Sequence, residues 1–129
     1  MNKIVFLTAF IFSLFSFQIY ANISCPSKIT CNWDTVACDA SMTWTLDYSA
    51  ASEPFKGNKA INLSKIWAFK YTPYESYQLN CTYSYGEYSS FTIHAFVKQL
   101  KGENWNFDSD TQKAECTSVA APEACNGGV

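Results

Sequence analysis

From Ser76 to Ser84 the chain alternates without a break, Tyr77, Leu79, Cys81, Tyr83 and Tyr85 falling between Ser76, Gln78, Asn80, Thr82 and Ser84. A period of two puts these sets on opposite faces of a strand and leaves one face dry. Phe91, Ile93, Ala95 and Val97 resume the pattern. Gly86 and Glu87 lie between the two runs, and glycine accepts the positive φ that a two-residue hairpin turn demands. The predicted element is a β-hairpin with a cysteine inside its first strand, and the rest of the chain is organised around it.

The same period recurs upstream. Met42, Trp44, Leu46 and Tyr48 alternate with Ser41, Thr43, Thr45 and Asp47, which predicts another one-sided strand. Ser49 to Asn58 holds Pro54 and Gly57 and reads as a loop, with Phe55 folded back onto the core. From Ala60 to Tyr71 the alternation slips near Lys65, as a bulge would make it do. Trp67, Phe69 and Tyr71 then share one face, and Thr72 to Glu75 turn the chain into the hairpin, giving a three-strand meander. Trp44, Trp67, Tyr77 and Tyr83 are assigned to dry faces. Trp105 and Phe107 predict a short further strand, whereas Asn22–Ala40 and Asp108–Val129 show no lasting period. Both ends are expected to be irregular and cross-linked, with Asn126 to Val129 mobile. The expected fold class is mainly β: a single small antiparallel β-sheet domain, a meander with a sandwich or barrel-like closure as alternatives, stapled by disulfides.

The first residues are set apart from this fold. Lys3 followed by the apolar run Ile4 to Phe17 has the layout of a secretory signal peptide, with a cleavage point after Ala21. The run is shorter than the roughly 20 apolar residues of a membrane helix. Lipidation at Cys25 is disfavoured, because Asn22, Ile23 and Ser24 lack the pattern that precedes a lipidated cysteine. The expected organisation is thus a signal peptide over 1–21 and one disulfide-bonded β-rich domain over 22–129. All 6 cysteines fall in the second part, which in an exported chain argues for three bridges in an oxidising compartment. The formal charge of −2 becomes one more negative without Lys3. No basic field suits nucleic acid or an anionic membrane, so neither is an expected partner, and no membrane insertion is expected once the signal is removed. Every basic residue is a lysine, which removes the side chain best suited to bidentate anion capture.

Candidate chemistry is sparse. His94 is the only histidine and lies on the polar face of its strand beside Thr92 and Phe96. It is read as a structural residue, because no nucleophile signature accompanies it. Asp108 with Asp110, or Glu87, could supply paired carboxylates for glycoside hydrolysis, but acidic residues in turns ordinarily cap backbone groups. The clustered Cys25, Cys31 and Cys38 lack a second pair or further histidines at zinc spacing, so no metal or other cofactor is expected. Asn-x-Ser/Thr sequons at Asn22, Asn62 and Asn80 follow from strands whose outer faces alternate Ser, Thr and Asn. Aromatic residues make up 17% of the chain; most are assigned to the core. Tyr74, Tyr88 and Trp105 stand near turns and are the candidates for an exposed binding surface.

Taken in order, Cys25 and Pro26, Trp44, Phe55, Trp67, the Cys81-Thr82-Tyr83 triplet, Trp105, Cys116, Ser118 and Pro122 to Cys125 resemble a family of small exported proteins of intracellular gammaproteobacteria associated with type IV secretion systems. The resemblance spans nearly the whole mature part and carries no catalytic motif. Cys31 and Cys38 stand outside its pattern, and the residues after Cys125 depart from a Pro-Phe ending. It implies a periplasmic location and a supporting role in secretion or in growth inside a host cell. The first functional reading is therefore a non-enzymatic accessory that binds a protein partner in the cell envelope. The alternative is a secreted carbohydrate- or ligand-binding module using exposed aromatics, and a small hydrolase ranks third. Short reach favours a Cys31–Cys38 bridge, and the resemblance adds that the two cysteines it leaves over would pair with each other. Cys25, Cys81, Cys116 and Cys125 remain open among themselves, within the fifteen connectivities that six cysteines allow.

Overall fold

A computed structural model describes residues 22–47, 55–72 and 74–129. The expected signal peptide, Tyr48, most of the loop after it and Pro73 lie outside the described residues. The described chain is mainly β, with eleven strands. They are β1 (Asn22–Ser24), β2 (Lys28–Asn32), β3 (Ala37–Cys38), β4 (Thr45–Asp47), β5 (Asn58–Tyr71), β6 (Ser76–Ser84), β7 (Ser90–Val97), β8 (Gln99–Lys101), β9 (Trp105–Asp108), β10 (Lys113–Cys116) and β11 (Asn126–Gly128).

β6 and β7 form the expected hairpin, with Tyr77 opposite Val97, Leu79 opposite Ala95, Cys81 opposite Ile93 and Tyr83 opposite Phe91. Leu79, Cys81, Tyr83, Phe91 and Ile93 are all buried. The turn differs from expectation. Gly86 does not take a positive φ, and the connection runs from Tyr85 to Ser89, closed by Tyr85 N–H donating to the Ser89 carbonyl at 2.9 Å.

β5 is the long strand against which the sheet is laid. It pairs with β2 through Asn58–Asn62, with β6 through Leu63–Tyr71 and with β10 through Trp67–Phe69. The expected bulge is present between Leu63 and Lys65. Its effect is to exchange the faces. Ile61 and Leu63 are buried before it, whereas Ile66 and Ala68 are buried after it. One extra residue changes the parity of the pleat, so Trp67, Phe69 and Tyr71 share a face as expected, but that face is the outer one. Trp67 is therefore not on the dry side, contrary to its assignment from the sequence.

The larger sheet runs β3-β2-β5-β6-β7-β4, with β10 added to β5 and β9 added to β10. Its ends curl towards each other. Ala37 and Cys38 of β3 and Leu46 of β4 line one narrow slot together with Phe91 of β7, so the sheet approaches a closed barrel. β4 is shorter than its alternation predicts: Met42 is fully exposed, and Trp44 precedes the strand while packing on the core.

The ends of the chain are more regular than their sequence suggests. β1, β11 and β8 make a second antiparallel sheet in which β11 is the middle strand. Asn126–Gly128, expected to be mobile, is thus paired on both edges, and a Cβ built on Gly127 would lie 2.5 Å from Val97 Cγ1. A glycine is needed there because the backbone rests directly on the core. β2, β3 and β10 are likewise strands where irregular chain was expected. The bridges are Cys25–Cys81, Cys31–Cys38 and Cys116–Cys125, with no free cysteine among the described residues. Cys31 and Cys38 face each other across β2 and β3. Three disulfides fit an oxidising compartment. Among the described residues, no helix is long and apolar enough to cross a membrane.

Candidate binding surface

The outer face of the larger sheet carries the unusual chemistry. Strand pairing sets Lys65, Trp67, Phe69 and Tyr71 of β5 beside Thr82, Asn80, Gln78 and Ser76 of β6. Beyond them come Thr92, His94 and Phe96 of β7. On the other side of β5, Glu115 and Lys113 of β10 stand opposite Trp67 and Phe69.

The middle of this face is a hydrogen-bonded floor. Trp67 Nε1 donates to Thr82 Oγ1 at 3.2 Å, and the Thr82 and Thr92 hydroxyls bond at 3.0 Å. Gln78 Nε2 donates to Asn80 Oδ1 at 2.9 Å while Asn80 Nδ2 donates to the Gln78 carbonyl. Asn80 is buried despite facing outward, so its sequon is not presented as a glycan acceptor. These bonds fix the polar side chains, and the aromatic rings around them inherit a rigid base.

Towards the β5–β6 turn the rings form a chain. Tyr74 stacks on Tyr71 with centroids 5.7 Å apart and planes 3° from parallel. Tyr71 meets Phe96 edge-on at 5.8 Å, and Phe96 meets His94 at 5.7 Å. Tyr74 is 74% exposed and Phe96 54%. The turn itself is tightened by Tyr74 N–H donating to the Tyr71 carbonyl, and Glu75 after it takes a left-handed φ of 48°. His94 Nδ1 is buried and has no hydrogen-bond partner.

The three aromatics singled out from the sequence have different surroundings. Tyr74 belongs to the ring chain. Tyr88 is 86% exposed and lines a cleft of about 300 Å³ with Phe55, Lys59, Tyr85 and Glu87. Lys59 Nζ sits there 5.8 Å and 5.7 Å from the Phe55 and Tyr85 ring centroids. Trp105 is partly buried against the core, and its Nε1 donates to the carbonyls of Lys101 at 2.9 Å and Asn126 at 3.3 Å. Those bonds tie β8, β9 and β11 together. Asp108 Oδ1 accepts from Asp110 N–H at 2.9 Å, the turn-capping role that the acidic residues suggested. Among the described residues, no group of three or more His, Cys, Asp and Glu could hold a metal.

Trp67, Phe69 and Tyr71 were not anticipated as surface residues, whereas Phe96 lies on the polar face of its strand as expected. A signal was present: Ile61 and Leu63 are odd-numbered, Ile66 and Ala68 even-numbered, so a bulge between the pairs necessarily turns Trp67 outward. The chain matches no protein-family model, no curated protein and no solved structure.

Proposed function

We propose that this is an exported, non-enzymatic binding protein of the cell envelope, which docks a protein partner through the ring chain of Tyr74, Tyr71 and Phe96. The supporting observation is that three large aromatic side chains, in contact with one another, stay exposed on a rigid sheet face of a small domain. Such anchors supply most of the energy of a protein interface at little entropic cost, because the rings are already held in place. The resemblance noted above would place the partner in the periplasm, in support of type IV secretion or of growth inside a host cell.

A photo-crosslinking amino acid at position 74, in protein expressed in its own source cells, tests the reading. The expected result is a discrete adduct with one protein, lost in Phe96→Asp and retained in Tyr88→Ala. No adduct from position 74, or an adduct that survives Phe96→Asp, would remove the ring chain as the docking site.

A further inference from the structure

A second site lies on the same outer face but on the far side of β5, where β10 and β9 extend the sheet. Trp67, Lys65, Lys113 and Glu115 line a depression of about 170 Å³. Lys113 and Glu115 also line an adjoining one of about 300 Å³ with Asn106, Asp108 and Thr111. Because two side chains are common to both, the depressions make one groove running from the indole of Trp67 across β10 to β9.

We propose that this groove binds an uncharged oligosaccharide, with one pyranose ring on Trp67 and the next over β9 and β10. The charge of the lining argues for an uncharged ligand. Lys65 and Glu115 are bonded to each other at 3.0 Å, and Lys113 stands opposite Asp108 in the β9–β10 register, so the positive and negative side chains of the lining balance and favour neither an anion nor a cation. What remains is a row of ammonium, carboxylate, amide and hydroxyl groups, both donors and acceptors, beside one flat apolar surface. A sugar ring has the complementary arrangement, hydroxyls around its rim and C–H groups on its faces, which pack against the electron-rich face of an indole. Trp67 is positioned for it: the bond from Nε1 to Thr82 turns the N–H towards β6 and leaves the ring to line the groove.

The groove is also preformed, which limits the ordering cost of binding. The β9–β10 turn is held by Asp110 N–H donating to Asp108 Oδ1, and by Gln112 Nε2 donating to the Ser109 carbonyl at 2.6 Å. Gln112, in a left-handed φ of 57°, accepts from Lys70 N–H through its carbonyl at 3.0 Å and so fastens the turn to β5. This site shares no exposed ring with the protein-docking reading and stands or falls separately.

The test is an NMR titration of the disulfide-intact protein, residues 22–129, with chitotetraose, cellotetraose and maltotetraose, following the Trp67 indole N–H and the backbone amides. At least one sugar should shift Trp67, Asn106 and Glu115 together at millimolar concentration. Trp67→Ala should weaken that sugar about tenfold. Asn106→Ala, at an exposed position that leaves the fold intact, should weaken it several-fold, and Tyr88→Ala should not change it. The proposal is overturned if none of the three sugars shifts these signals, if the shifts fall on Tyr74 or Tyr88 instead, or if only a charged polysaccharide such as polygalacturonate or heparin produces them.

Discussion

The β6–β7 hairpin and the terminal sheet of β1, β11 and β8 cover the same core by different physical means. The hairpin does it with side chains: Tyr83 stacks on Phe91 at 5.5 Å, and Leu79, Cys81 and Ile93 fill the space beside them. The terminal sheet adds Ile23 and Leu100 from its outer strands, but its middle strand does it with backbone. Gly127 and Gly128 are buried in β11, Gly127 resting against Val97, and the bridges from Cys25 and Cys125 hold the segments in place. A region that packs by side chains declares itself through its hydrophobic period. One that packs by glycine backbone and crosslinks has no period to show, although its middle strand is paired on both edges.

If the hairpin's side chains carry the core, Tyr83→Ala should be the most damaging single change. It removes a ring with no exposed surface and leaves the Pro26 carbonyl without the phenol hydroxyl that donates to it at 2.6 Å. The expected loss is about 3 to 5 kcal/mol, read from chemical denaturation. An unchanged midpoint would show that the core does not depend on this face.

The Cys25–Cys81 bridge joins the two regions, and its loop is the longest of the three, with a sequence separation of 56. Loop-closure entropy gives it about 4 kcal/mol, against about 2.5 kcal/mol for Cys31–Cys38, separated by 7. The paired Cys25→Ala and Cys81→Ala replacement should therefore lower the melting temperature more than the paired Cys31→Ala and Cys38→Ala replacement. The reverse order would mean that the short bridge holds native structure beyond its loop.

The same contrast explains how much of the molecule was legible. The hairpin, the bulge near Lys65, the expected Cys31–Cys38 pair and the antiparallel class all follow from local rules. β2 and β3 were missed because five-residue and two-residue strands crossed by cysteines, Lys28–Asn32 and Ala37–Cys38, are too short to establish a period. β11 was missed because Asn126, Gly127 and Gly128 read as a fraying terminus when no neighbour is known. The outer aromatic face was half legible: the shared face of Trp67, Phe69 and Tyr71 was visible, but the side it took depended on carrying the parity change through the bulge. Tyr88 was visible as a surface residue because it stands beside a turn with no apolar neighbours in alternation.

Gly127→Ala measures the backbone-packed region directly. The added methyl would meet Val97 Cγ1, Cβ and Cγ2 at 2.5 to 2.8 Å, so strand or side chain must shift, at about 1 to 3 kcal/mol. Combining it with Val97→Ala should return part of that loss, since the two sites share one space. Additive losses would indicate that β11 can move away freely, and that the terminal sheet is held by its bridges alone.

Alkaline pH separates the regions again, with a smaller effect. Burial, and then the charge of Asp39, hold the Tyr83 phenol well above the usual tyrosine range. The neutral phenol is therefore favoured by folding, while the unfolded chain ionises first. Its contribution is complete below about pH 10 and is lost as pH rises beyond that value. Tyr83→Phe should lose about 1 kcal/mol at neutral pH, the worth of one hydrogen bond, and should flatten the alkaline decline. A wild-type decline that persists unchanged in Tyr83→Phe would assign it to other groups.

The smallest expected effect is that of Tyr88→Ala, in the connection that closes the hairpin. Tyr88 is 86% exposed, and the connection is fastened by the Tyr85 and Ser89 backbone, which the substitution leaves intact. Its stability should stay within about 0.5 kcal/mol of the parent, although it lies only five residues from Tyr83 in sequence. The pair of substitutions sharpens the point that position in the fold, and not aromatic identity, decides what a ring contributes. A loss approaching that of Tyr83→Ala would mean that Tyr88 folds down over the Phe55 and Tyr85 cleft, and that the hairpin's packed face reaches around its tip.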